Sequence, residues 1–70
     1  MIVYTVVNLK EKVEFEKKYQ IPYGYNNIPV HWRFEDAIVW YNSKLGPRER
    51  KEFVIEKHES GFTDIVFQTF

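Results

Sequence analysis

The apolar positions of the chain fall into blocks of different period. Met1 to Val7 (MIVYTVV) is dense in β-branched and aromatic residues and has no breaker, which predicts an opening strand. Its low polarity at both parities predicts a central place in a sheet. Phe34 to Leu45 (FEDAIVWYNSKL) carries Phe34, Ala37, Ile38, Tyr41 and Leu45 at the spacing of one helical face, with Trp40 beside that stripe. Glu35 and Asp36 fall in its first turn and Lys44 in its last, as the helix dipole favours, and Gly46 with Pro47 supplies the stop. Glu52 to His58 alternates Phe53, Ile55 and Lys57 with Val54, Glu56 and His58. Thr63 to Phe70 alternates in the same way, and the ESGF between the two supplies a turn glycine, so this pair predicts a β-hairpin.

Asn8 to Gln20 (NLKEKVEFEKKYQ) carries two patterns at once. Asn8 and Glu11 have the spacing of a capping box ahead of good helix formers, whereas Val13, Phe15, Tyr19 and Ile21 share the parity of a strand face interrupted by Lys17. The strand reading is followed here, pairing this segment with the first strand, although NLKEK lacks the glycine that tight hairpins favour. Ile21 to Pro29 (IPYGYNNIP) reads as a loop and Pro47 to Lys51 (PRERK) as a charged connector. The expected fold is α+β, a small antiparallel sheet of three or four strands with one principal helix on one face. The order expected is ββαββ, with βααββ the alternative if residues 9–20 are helical, and an all-β barrel if VHWRF and AIVWY are strands too. No repeat or linker divides the sequence, so residues 1–70 are read as one compact domain.

Composition narrows the chemistry. A chain of 70 residues buries only roughly 60% of the surface its unfolded form exposes, which argues against a hollowed-out core. The absence of Cys removes disulfides, thiolate chemistry and Cys-based metal sites. Ten Lys plus Arg balance ten Asp plus Glu, so nothing draws the chain strongly to a polyanion. The longest apolar run falls far short of the roughly 20 residues that cross a bilayer, and a cytoplasmic protein without a membrane partner is expected.

Candidate catalytic patterns are weak. Glu56, His58, Glu59 and Asp64 could converge around the last hairpin, but solvated strand-end polar residues account for them as well, and no metal or other cofactor is expected. Ser43 and Ser60 have no visible base, and the adjacent Glu35 and Asp36 point about 100° apart on a helix. The three glycines form no phosphate cradle. A non-enzymatic protein is expected.

The anomaly is aromatic content, with 13 rings in 70 residues, more than so small a core readily covers. Such rings either compensate for the missing disulfides or form a contact surface. The leading reading is a protein-binding module, an inhibitor or accessory regulator of a larger protein, using Tyr23, Tyr25, Trp32, Arg33 and Trp40. A homodimer through an open sheet edge is a second expected contact. The alternative is single-stranded nucleic-acid binding, with Arg48, Arg50 and Lys51 on phosphates and rings on bases, against which stand the interleaved Glu49 and Glu52.

Overall fold

The computed structural model describes residues 1–23 and 28–69. The opening strand β1 (Ile2–Asn8) runs without a linking loop into helix α1 (Leu9–Tyr19). Asn8 makes this junction: its backbone is extended, and its side-chain Oδ1 accepts the Glu11 N–H at 3.0 Å. At the other end Gln20 adopts a left-handed conformation, and its N–H closes the helix on the Glu16 carbonyl at 2.9 Å.

The strand expected over residues 9–20 is therefore a helix, and the order ββαββ gives way to one closer to βααββ. The cap decided the matter: it satisfies an orphan amide locally, whereas a hairpin needed a tight turn that NLKEK could not make. Two small elements complete the order. Strand β2 (Val30–His31) precedes α2 (Phe34–Lys44), and the expected connector is a short helix, α3 (Pro47–Glu52). Pro47 occupies the first position of α3, and Glu49 Oε1 reaches back to accept the Gly46 N–H at 3.0 Å, so the two helix-start signals sit inside a stretch that reads as merely charged.

The hairpin forms as expected from β3 (Phe53–Glu59) and β4 (Phe62–Gln68). Ser60 and Gly61 link them, both at positive φ, the turn geometry whose twist matches the strands. The four strands form one antiparallel sheet in the order β2-β1-β3-β4, which places β1 and β3 at the centre.

Strand alternation gives the sheet two unlike faces. Val6 and Ile55 point to one face and form the core with Ala37, Tyr41 and Leu45, with Tyr4, Phe34, Phe53 and Phe67 packed around them. The helical stripe read from Phe34 to Leu45 is the one that docks here. Tyr41 is its anchor: fully buried, edge-on to Phe67 at 5.3 Å, its hydroxyl donating to the Arg50 carbonyl and lying 3.0 Å from Thr69 Oγ1.

The other face carries Thr5, Val7, Val54 and Glu56, all buried, and α1 lies over it. A single principal helix on one face was expected, but α1 and α2 have 11 residues each and flank the sheet on both sides. The two helices are held differently. No residue of α1 is fully buried, and Val13 and Tyr19 are more than half exposed, so its contact with the sheet depends heavily on polar side chains.

Candidate functional site

The polar contact under α1 centres on Glu56 and His58, which the alternation of β3 aims at the same face. Lys12 of α1 reaches down to Glu56 Oε2 at 2.5 Å, and Glu56, only 4% exposed, holds its other oxygen 3.8 Å from His58 Nε2. The same ring nitrogen lies 2.8 Å from Thr5 Oγ1, and Nδ1 lies 3.1 Å from Thr63 Oγ1. Each hydroxyl can donate or accept, so a neutral imidazole in either tautomer satisfies both contacts. Asp64, once grouped with these residues, pairs with Lys57 and so alternates onto the opposite face. Among the described residues no set of three or more His, Cys, Asp or Glu side chains could hold a metal ion.

Burial pushes the His58 pKa below its ordinary value; Glu56 opposes that shift and Lys12 adds to it. The folded protein therefore holds this proton less tightly than the unfolded chain. Stability contributed here is fully present above the ordinary histidine value of about 6.5 and is lost as pH falls through the lower folded value. Urea denaturation across that interval is expected to show a falling stability in the parent protein and a smaller fall in His58→Gln. Equal slopes would show that His58 titrates alike in both states.

A second feature lies at the end of the sheet where β3 turns into β4. Trp32, just beyond β2, is 70% exposed, and Phe62, the first residue of β4, is 74% exposed. Both line a cleft of about 500 Å³, together with Met1, Val3, Val30, His58 and Thr63. Glu59 supplies a carboxylate on the same cleft. Phe62 is the residue that sequence reasoning missed: its pairing with Glu59 across the turn puts it at the strand end, where the sheet leaves its ring uncovered.

Of the described residues singled out from the sequence, Tyr23 lines a recess that shares His58 and Thr63 with the Trp32 cleft, whereas Trp40 lines a different recess. Trp32 lies in the cleft, whereas Tyr23 packs edge-on to Phe15 of α1 at 5.3 Å and donates its backbone N–H to Glu16 Oε2 at 3.0 Å. Tyr25 lies outside the described residues. Arg33 is committed to Asp36 through two contacts of 3.2 Å each at the start of α2. Trp40 is half-buried against the core on the α2 side and lines a separate recess with His31, Val39 and Ser43.

The basic residues are likewise divided. Arg48 and Lys51 are exposed on α3, while Arg50 is half-buried with its guanidinium 3.5 Å from Asn42 Oδ1. Helix α3 feeds into Phe53, at the opposite end of β3 from the cleft. A strand of this length spans roughly 20 Å, so the exposed cations and the exposed rings of the cleft stand far apart.

No helix among the described residues is long and apolar enough to cross a membrane. Comparison with protein-family models, with curated proteins and with solved structures found no match to this chain.

Proposed function

We propose that this chain is a small protein-binding module, acting as an inhibitor or accessory regulator, whose contact face is the cleft between Trp32 and Phe62. One observation carries the reading: two large rings, distant in sequence, stand mostly exposed on one cleft with Met1 and Val30 beside them. A small domain short of core gains nothing in its own stability from leaving such rings in water, and contiguous apolar surface of this kind marks sites where another molecule is bound. Large rings also lose few rotamers on docking, which is why a few can dominate an interface. The partner group that fits is a bulky apolar side chain, with a basic neighbour placed to meet Glu59.

The members of the polar cluster partner one another, which supports binding rather than turnover. The nucleic-acid alternative is weakened by the separation of cations from rings, since stacking and phosphate contacts must act on the same few nucleotides. A cytoplasmic setting is part of the same proposal, and a chain without Cys is compatible with such a reducing compartment.

Peptides selected from a random displayed library on the immobilised protein test the proposal. Selected sequences are expected to share a bulky apolar residue and to bind with little dependence on salt. Trp32→Ala and Phe62→Ala should each weaken them at least about tenfold, the loss typical of a strong contact residue, while Trp40→Ala should leave them unchanged. Selection of no peptide, or of peptides indifferent to both cleft substitutions, would refute the cleft as the contact face. Retention on single-stranded DNA at low salt, lost in Arg48→Ala with Lys51→Ala, would favour the other reading instead.

A further inference from the structure

His58 stands where two openings meet on one face of the sheet. Pairing sets Val3 on one side of it and Thr63 on the other, so all three point to the face that carries α1. Toward α1, a recess of about 280 Å³ is lined by Lys12, Glu16 and Tyr23 together with Glu56, His58 and Thr63. The same His58 and Thr63 also line the Trp32–Phe62 cleft. The His58 side chain is only 12% exposed, so an occupant of the cleft takes away part of the little water contact that the ring retains.

We infer that the cleft is proton-linked: its occupant binds the protein with His58 neutral, and protonation of His58 releases it. The inference rests on the cleft being the contact face and adds a regulation by pH to it. Covering the ring penalises its charged form, because an imidazolium depends on hydration far more than a neutral ring does. The protein's own packing already acts in that direction, since burial lowers the His58 pKa. A ligand over the ring extends the same effect.

The groups around the ring determine whether anything reverses it. Lys12 and Glu16 face it from α1 and Glu56 from β3, while β1 and β4 contribute the hydroxyls of Thr5 and Thr63. Lys57 and Asp64 alternate onto the opposite face, and Glu59 and Met1, which carries an ammonium, line the cleft. Glu56 favours the imidazolium and Lys12 opposes it, a balance already present in the free protein. A basic group of the occupant that meets Glu59 adds positive charge near the ring, so charge and burial act with the same sign. The hydroxyls act that way too. An imidazolium donates at both nitrogens, so Thr5 and Thr63 must both accept, and Thr63 then turns its hydrogen away from the ring and needs a new acceptor. An apolar group seated in the cleft supplies none.

The affinity of a peptide selected on the protein at neutral pH, measured between about pH 7.5 and about pH 5, tests the inference, because histidine is the side chain whose ordinary charge change falls there. The peptide is acetylated and chosen without His, Asp or Glu, so that its own groups do not titrate. Circular dichroism at each pH checks that the protein stays folded. Affinity is expected to fall on acidification by up to about tenfold per pH unit, the limit for one proton. In His58→Gln it should not vary with pH, whatever its level. His31→Gln, beside Tyr4 on the opposite face, should keep the parent profile. By reciprocity, the His58 ring followed by NMR should titrate at lower pH in the peptide-saturated protein than in the free one. Constant affinity across the interval, a fall that survives in His58→Gln, or a ring titration unmoved by peptide would overturn the inference and leave the cleft as the contact face. A peptide whose binding ignores Trp32→Ala and Phe62→Ala would refute the cleft itself, and the inference with it.

Discussion

Replacing Lys12 with methionine is expected to destabilise the fold by about 3 to 5 kcal/mol, the cost of stranding a buried carboxylate. Glu56 sits at the centre of the sheet, almost inaccessible, with the Lys12 ammonium 2.5 Å from its Oε2. Methionine keeps much of the length and apolar stem of lysine but removes the charge, so the carboxylate loses its close ammonium partner and keeps only His58, whose Nε2 lies 3.8 Å from its other oxygen. A domain of this size rarely holds more than about 3 to 5 kcal/mol in total, so Lys12→Met should be largely unfolded at room temperature. The matched double variant, Lys12→Met with Glu56→Leu, should recover most of the loss or exceed the parent, because a buried ion pair costs nearly as much to desolvate as it returns. Urea denaturation of the three proteins checks both halves. A loss below about 1 kcal/mol in the single variant would place the pair in the class of screened surface bridges.

The second large effect is expected at Tyr41. Its ring fills the junction of α2 with β3 and β4, and its hydroxyl ties the backbone of α3 to the end of the last strand. Tyr41→Ala removes a buried ring and should cost about 3 to 5 kcal/mol, enough to abolish cooperative thermal unfolding. Tyr41→Phe keeps the ring and should cost only about 1 to 2 kcal/mol, with the Arg50 carbonyl left to find another donor. Near-equal losses in the two variants would mean that the hydroxyl, and not the packing against Phe67, holds this corner together.

These two sites show where the sequence was readable and where it was not. The helix ending in Gly46-Pro47 and the hairpin around Gly61 were legible because each has a strong local period bounded by a breaker, and tertiary packing agrees with both. Residues 9–20 were misjudged for a physical reason. Strand parity in Val13, Phe15 and Tyr19 is a statement about burial, yet no residue of α1 is fully buried, so that pattern carried little energy beside the Asn8 cap. Lys12 shares the arc of Leu9, Val13 and Phe15 on the helix and turns inward to meet Glu56. That pairing joins positions 44 apart in sequence, and no local signal reports it.

The candidate site was legible in the same uneven way. Trp32 stood out by residue type and is indeed exposed, whereas Tyr23 and Trp40 look identical in sequence yet pack against α1 and the core. Phe62 falls in the ESGF read as a turn, so the sequence assigns it to no strand face. Only the β3–β4 turn, which ends the sheet beside it, leaves its ring uncovered and next to the cleft.

The most direct test of the central claim is a chemical-shift map of the isotope-labelled protein titrated with a peptide selected on it. The cleft reading predicts the largest changes at the Trp32 indole N–H and at the amides of Val3, Phe62 and Thr63, with α3 unmoved. Changes centred on Arg48 and Lys51, or on Trp40 and the outer face of α2, would contradict it.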